Sequence, residues 1–351
     1  MQGRRSSSRD VATLAGVSRT TVSFVLNDRP DANISAATRE RVLAAAAQLG
    51  YQPHAAARGL AGGRSHTIGL VLRQSAEQVA EDALLAETLR GVSGAARAQG
   101  YRVLVEPFGA LDGSYGDLIR SHRADGLVVS GPRVDDAELQ ALAASGAPLV
   151  VQGTLPGVDA PSVDVDNVAA AKVAVRHLVD LGHRRIACVT NASLSYTAAR
   201  DRLNGYREAL AEAGIAEDPH LVAEADFSAA SGRRAMAGLL EHDGITAVFV
   251  ASDVVAFGAI AAIRGAGRRV PDDISVVGFD DIPLAAYFDP PLTSIRLPAH
   301  DLGRAVGTAL LDRITGRSVE ARTMLPTELV IRSSTAPPPT GPRSRDGPEP
   351  S

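Results

Sequence analysis

The chain has no tryptophan, a single cysteine and three methionines in 351 residues, and aromatic side chains make up 4% of it. One cysteine excludes a disulfide framework within the chain. That residue, Cys188, sits in the apolar run IACVT and reads as a buried core thiol. No apolar run reaches the roughly 18–20 residues that a membrane-spanning helix needs. The opening MQGRRSSSRD carries charge with no apolar stretch behind it, which is not the layout of a secretory signal. The expectation is a cytoplasmic protein with no membrane partner. Catalytic signatures are missing too: there is no zinc-ligand spacing, no GxSxG elbow and no phosphate-cradling GxxxxGKS/T loop. Asp280 and Asp281 are adjacent on a strand and face opposite ways, poor geometry for an acid–base pair. Neither an enzyme, a metal nor a cofactor is expected.

What is present is unevenly charged. Residues 1–64 hold nine arginines against four acidic residues, a balance of +5. The whole chain is −4, so residues 65–351 carry −9. A basic head on an acidic body points to a polyanion as the partner of the head.

Residues 1–52 read as three short helices. Ser7 or Ser8 caps the first, with Asp10 at capping-box spacing, and Gly16 stops it. Ser18 caps the second, and Ser35 caps a third that ends at Gly50. Val11, Leu14, Val17, Val22, Val25, Leu26, Val42, Leu43, Ala46 and Leu49 recur at helical spacing and are the expected small core. With Val22, Val25 and Leu26 turned inward, the second helix presents Arg19, Thr20, Ser23 and Phe24 outward, toward its N-terminal end. That is the end a helix-turn-helix places in the major groove. Arginine bonds guanine bidentately, threonine reaches a base edge or the thymine methyl, and an aromatic packs on that methyl. Ser18, Thr21 and Asn27 flank this face and suit phosphates. The competing reading puts Phe24 in the small core.

Residues 53–64 form a glycine-interrupted linker that is a marginal helix alone. From Thr67 strand-like runs (TIGLVL, YRVLVEPF, DGLVVSG, APLVVQG, RRIACVT, AVFVAS, ISVVGF) alternate with amphipathic stretches. This predicts parallel sheets covered on both faces. The length suits two lobes: an N-lobe of about 65–164 plus 295–325 and a C-lobe of about 165–292 plus 326–335. The chain is expected to cross between them near 164–167, 290–297 and 325–329. A (β/α)8 barrel is the topological rival. The proline-rich residues 336–351 read as disordered and lack the leucine heptads of a tetramerising coil. Ligands of such sheets sit beyond the carboxyl ends of the strands. Arg73, Ser193, Ser195, Ser252, Asp253 and Asp280 collect there, and Asp166 lies at a crossing.

The segments DVATLAGVSRTTVSFVLN, SAATRERVLAAAAQLGYQPHAAARGLAGG and HTIGLVL, followed by HLVDLGHRRIA, RLNGYREAL, ASDVVAFGAI, RRVPDDISVVGFDD and PPLTSI, resemble the lac and gal repressor family of bacterial transcription regulators. The resemblance runs from residue 7 to about 333. It implies an all-α helix-turn-helix head, a hinge helix, and a two-lobed α/β body like periplasmic sugar-binding proteins. It implies a homodimer, or a tetramer, on a double-stranded DNA operator, with affinity set by a small effector. By this resemblance Arg19, Thr20 and Phe24 match base-reading positions, although many members have arginine where this chain has Phe24. Ser7, Ser18, Thr21, Asn27 and Ser35 match phosphate contacts, and Ala57 and Leu60 match hinge residues that enter the minor groove. Arg202, Asp280, Asp166, Phe227 and Asp253 match effector-pocket positions. Leu84 and Leu85 stand where an aromatic pair is common, and Tyr196 occupies another pocket position. The implied effector is a sugar, with a nucleoside, another polar metabolite or a protein partner as the alternatives.

Overall fold

The computed structural model describes residues 6–26, 32–51, 64–108 and 114–339. The chain divides into two compact units, Met1–Thr67 and Ile68–Ser351.

In the first unit α1 spans Ser8–Ala15, α2 Arg19–Leu26 and α3 Ala36–Gln48. A capping box opens α1: the Asp10 amide donates to Ser7 Oγ, and the Ser7 amide donates to the Asp10 carboxylate at 2.8 Å. Gly16, at φ 64, closes it in the left-handed conformation that glycine adopts without penalty. Ser18 Oγ accepts the Thr21 amide at 3.0 Å to start α2, and Ser35 Oγ accepts the Thr38 amide to start α3. The core is Val11, Ala12, Ala15, Val22, Val25, Val42, Ala45 and Ala46. Leu14 and Leu43, expected inside, are each 48% exposed. Their helices turn alanines inward instead, through Ala12 and Ala15 in α1 and Ala45 and Ala46 in α3, and three short helices cannot cover a wider stripe.

The second unit contains two six-stranded sheets. The first has the order β11-β5-β4-β3-β1-β2, and the second β12-β10-β9-β8-β6-β7. The first sheet is built from β1 (Thr67–Leu72), β2 (Arg102–Pro107), β3 (Leu127–Ser130), β4 (Leu149–Gln152), β5 (Ser162–Val165) and β11 (Arg322–Leu325). The second is built from β6 (Ile186–Val189), β7 (Val222–Ala223), β8 (Ala247–Val250), β9 (Ser275–Asp280), β10 (Thr293–Arg296) and β12 (Glu328–Val330). Pairing is parallel from β11 to β1 in the first sheet and from β10 to β7 in the second, as in Gly69 beside Leu127 and Val248 beside Val276, and β12 closes one edge antiparallel to β10. Two separate sheets dispose of the barrel alternative.

Helices cover both faces, which is why the central strands are apolar on both sides. In the first lobe α4 (Ala76–Glu81) leads into α5 (Leu85–Ala98). That helix packs with α12 (Ala299–Ile314) over Ile68, Leu70, Val128 and Val150. On the other face α6 (Tyr115–Arg120) and α7 (Ala137–Ala144) cover Val71, Leu127, Val129 and Leu149. In the second lobe α8 (Asn167–Asp180) and α9 (Thr197–Glu212) cover one face, and α10 (Ala229–Leu239) and α11 (Asp253–Gly265) the other. Cys188 is fully buried under α8 and α9, and burial pushes its thiol well up. No helix among the described residues is long and apolar enough to cross a membrane.

The chain crosses between lobes after Val165, after Arg296 and between Leu325 and Glu328. The second crossing falls inside the expected 290–297 window and moves only the start of the N-lobe segment, expected at about 295, to residue 297. The whole of β10 pairs with β9, Thr293 beside Val277 and Arg296 beside Asp280, and Ile295 is buried in the C-lobe core.

Helix pairs meet through glycine. A Cβ on Gly258 of α11 would stand 1.8 Å from the Ala229 carbonyl oxygen of α10, and one on Gly232 of α10 would stand 2.1 Å from the Val255 oxygen. Both obstacles are backbone, so Gly258→Ala must push the two helices apart. Overpacking of this kind costs about 1–3 kcal/mol. A lowered urea midpoint with unchanged slope is expected; an unchanged midpoint would show that the helices part freely.

Candidate functional site

Two surfaces carry the candidate chemistry. The first is α2. Arg19 and Thr20 are exposed in its first turn, Ser23 is half-buried, and Phe24 is 36% exposed and outside the core cluster, against the reading that buried it there. The hydroxyls expected on phosphates have prior commitments. Ser7 gives its hydrogen to Asp10, and Ser35 gives its own to Thr38. Ser18 and Thr21 bond each other at 2.9 Å, which uses one hydroxyl hydrogen of the two and leaves one for an anion. Asn27, Ala57 and Leu60 lie outside the described residues.

The second is the cleft between the lobes, at the carboxyl ends of both sheets. A cavity of about 180 Å³ lies there. Gln74, Glu81, Asp82, Leu84, Thr88 and Gln152 line it from the first lobe. Asn191, Tyr196, Arg202, Phe227, Ser252 and Asp280 line it from the second. Arg202 projects from α9 and is nearly buried. Its Nε donates to Asn167 Oδ1 at 2.9 Å and its Nη1 to the Ala251 carbonyl at 2.7 Å. The guanidinium stands 3.7 Å from the Phe279 ring centroid. Asp280 Oδ1 lies 3.7 Å from Arg202 Nη1. Burial pushes the Asp280 carboxyl up to about 6, against the opposing pull of Arg202, the Ser252 hydroxyl and the Asp253 amide. Burial likewise lowers Arg202. Both charges are therefore held at a desolvation cost that their long contact only partly offsets.

The backbone is strained at this point. Asp280 and Asp281 have φ of 114° and 51° at the end of β9, and Phe227 has φ of 70°. Non-glycine residues in this region cost on the order of 1–3 kcal/mol each and cluster at functional sites. The turn sends the two aspartates apart. Asp280 faces the cleft, while Asp281 accepts from Arg332 Nη2 at 2.6 Å and Arg296 Nε at 2.8 Å. Phe227 and Tyr196 meet edge to face, with centroids 5.1 Å apart. The Tyr196 hydroxyl donates across the cleft to the Arg73 carbonyl.

Three expected pocket residues are elsewhere. Leu85 packs into the first-lobe core. Asp166 is an exposed N-cap that accepts the Ala169 amide at 2.9 Å and starts α8. Asp253 is fully buried behind the pocket wall, accepting the Ile282 amide at 2.9 Å and the Ser294 hydroxyl at 2.6 Å. Burial drives its carboxyl well up. It braces the turn that aims Asp280. Sequence reasoning missed Gln74, Asp82, Gln152 and Asn191 as lining residues. The signal existed, because Gln152 ends β4 and Asn191 and Gln74 follow β6 and β1 closely. The Asn191 and Gln152 side-chain oxygens are buried acceptors with no hydrogen-bond partner. The Asp82 carboxyl, raised by burial, accepts the Leu84 and Leu85 amides. No group of three or more His, Cys, Asp or Glu that could hold a metal ion occurs among the described residues.

Comparison with known proteins covers the regions that hold both surfaces. Residues 9–54 match the family model of bacterial regulatory proteins, lacI family, and residues 175–335 match that of the periplasmic binding protein-like domain. The chain is 37% identical over 338 residues to the HTH-type transcriptional regulator CelR of Thermobifida fusca, covering 94% of this chain and 98% of the relative. It is 35% identical to the HTH-type transcriptional repressor CytR of Escherichia coli (strain K12), covering 93% and 95%. Among solved structures it resembles the lac repressor dimer bound to operator and the anti-inducer ONPF, with TM-score 0.80 and 33% identity over 95% of this chain and 100% of that one. It also resembles the transcriptional regulator CelR–cellobiose complex, with TM-score 0.71 and 35% identity over 94% and 100%. The chain belongs to the lacI family of bacterial regulatory proteins and is a DNA-binding transcriptional regulator, not an enzyme.

Proposed function

We propose that this protein is a cytoplasmic repressor of a catabolic operon that binds a palindromic operator as a dimer and responds to a sugar in the cleft. The observation that carries the effector reading is the balance of bonding groups in the cavity. Asp82, Asp280 and the unpartnered oxygens of Asn191 and Gln152 accept, and Arg202 donates, beside the Tyr196–Phe227 pair. Such a set suits a neutral ligand rich in O–H donors with an apolar face. An anion would meet Glu81, Asp82 and Asp280 against one guanidinium. A nucleoside is the second reading, favoured by Phe227 as a platform for a flat base.

On DNA, α2 enters the major groove with Arg19 and Thr20 on base edges and Phe24 on a thymine methyl, while Ser18 and Thr21 hold phosphate. Effector binding shifts the population between lobe arrangements. A coupling of about 1–3 kcal/mol changes operator affinity roughly 5- to 150-fold. The test is selection of genomic fragments by the full-length protein, followed by titration of the selected DNA with sugars and nucleosides. An enriched palindrome whose affinity shifts with a sugar supports the reading. A shift with nucleosides alone favours the second reading, and no enrichment overturns the operator claim.

The dimer is assigned to the apolar turn after β9. Tyr287 is 86% exposed beside exposed Leu284, and Phe288 behind them stacks on Phe257 of α11. A bare apolar surface of this kind marks an interaction site. Tyr287→Asp is expected to sediment as a monomer at concentrations where the unaltered protein is dimeric. A persistent dimer would move the interface elsewhere.

A further inference from the structure

The inner cavity is smaller than the roughly 300–1,000 Å³ usual for small-ligand sites. The cleft continues past it. A second cavity of about 560 Å³ shares Gln74, Glu81, Tyr196 and Phe227 with the first, so the aromatic pair stands between two compartments and borders both. Phe227, whose φ is 70°, lines both cavities at that boundary.

The two compartments differ in chemistry. The inner one holds the Arg202–Asp280 pair and the unpartnered amide oxygens. The outer one has a third aromatic, Phe108, with hydroxyls from Ser193 and Ser228. It also has two arginines, both charge-paired, and three carboxylates, Glu77, Glu81 and Asp226. Arg73 Nε lies 2.9 Å from Asp136 Oδ2, a charge contact without a hydrogen bond, and Arg133 Nη2 lies 2.9 Å from Asp135 Oδ2. Arg133 also stands over the Tyr196 ring, 5.1 Å from its centroid. The outer compartment therefore suits a second neutral ring that accepts and donates hydrogen bonds, not a phosphate or carboxylate. Both lobes supply its walls and close over it, for Gln78 Nε2 donates to the Asp226 carbonyl at 3.3 Å across the mouth.

We infer that the effector is a saccharide of two rings, a disaccharide or glycoside. Its terminal ring fills the inner compartment, its second ring fills the outer one, and the linkage passes the Tyr196–Phe227 pair. This rests on the sugar reading of the cleft and narrows it.

The test is calorimetric titration of the full-length protein with matched pairs: glucose with cellobiose and maltose, galactose with lactose, and xylose with xylobiose. Cytidine and adenosine are run alongside. At least one disaccharide is expected to bind 10-fold or more tightly than its monosaccharide. Ser193→Trp, on the exposed outer wall, is expected to remove that gain and leave the monosaccharide affinity unchanged. Arg133→Ala, which takes away an outer-wall side chain without adding bulk, is expected to reduce the same gain if the tryptophan variant does not fold. Equal affinities within every pair that binds, or equal weakening of both partners by the variant that folds, would overturn the two-ring proposal while leaving the sugar reading standing. Binding of nucleosides with no saccharide binding would overturn the sugar reading itself, and no binding by any saccharide of the panel would overturn both.

Discussion

An Asp280→Asn protein is expected to melt a few degrees higher than the unaltered protein at pH 8 and to ignore the effector. The Asp280 carboxyl titrates at about 6 in the folded chain against an ordinary 3.8, chiefly because burial penalises its charge. The folded state therefore holds more protons than the unfolded state between about pH 4 and 6. Stability falls as pH rises through that window and stays lowered above it. A shift of this size corresponds to about 3 kcal/mol. The attraction of Arg202 is already inside that shift, and Arg202 keeps its bonds to Asn167 and Ala251 and its contact with Phe279 in the variant. An amide replaces only part of the bonding that the carboxylate receives from the Ser252 hydroxyl and the Asp253 amide, which trims the gain. We expect a net gain of about 1–2 kcal/mol, or roughly 2–8 °C for a body of this size. Asp82, Asp164, Asp201 and Asp253 are also raised by burial. The decisive quantity is thus the difference between the two proteins across pH 4–8, in which the Asp164 and Asp201 contributions cancel; Asp82 and Asp253 repel Asp280, so relief of that repulsion is part of the difference. A variant less stable at every pH would show that the buried pair is net stabilising. A retained effector response would take Asp280 out of the site.

Arg19→Ala is expected to lower affinity for the selected operator by about 10²- to 10⁴-fold while barely changing nonspecific binding. A bidentate arginine–guanine contact is worth about 1–3 kcal/mol, and a dimer on a palindrome loses two of them. Removing one cation per head lowers nonspecific affinity and its salt slope only slightly. Phe24→Arg is the complementary change, since an exposed arginine there can demand guanine where phenylalanine accepts thymine. Operator selection should report one altered position per half-site. Equal losses on operator and random DNA for Arg19→Ala would make it a phosphate contact.

The head was largely legible because capping chemistry is local. Ser7 with Asp10, Gly16, Ser18 and Ser35 act within four residues of where they stand. The central strands were legible because burial on both faces makes them continuously apolar. The missed strands are short and carry polar residues, as in SVDV and TSIR, and their place depends on which lobe the chain has just left. The helix α12 was missed although Leu302, Val306 and Leu310 keep helical period, for it starts after Pro298 with no side-chain cap. Within the cleft, Asp280 was read from its place at a strand end, whereas Arg202, Tyr196, Phe227 and Leu84 came from the family resemblance; all five line it. Asp253 and Asp166 were not separable from them by sequence. A residue just past a strand can face the ligand, brace the turn or cap the next helix, and only the local dihedrals decide. Gln74, Gln152 and Asn191 lay unread because neutral amides carry no charge signal and meet only once two lobes face each other.

The crossings have a consequence for how the chain is made. The first sheet lacks its edge strand β11 until residue 325, and the Ile68–Leu70–Val128–Val150 face is covered by α5 alone until α12 follows at Ala299–Ile314. The second sheet likewise waits for β12 at Glu328–Val330. Neither lobe can be finished on the ribosome ahead of the other, and both close when the last stretch of chain emerges. Until then the nascent protein carries a half-covered parallel sheet, the kind of surface that chaperones hold and that aggregates when they do not. The three crossings that tie the lobes together also oblige them to be born together.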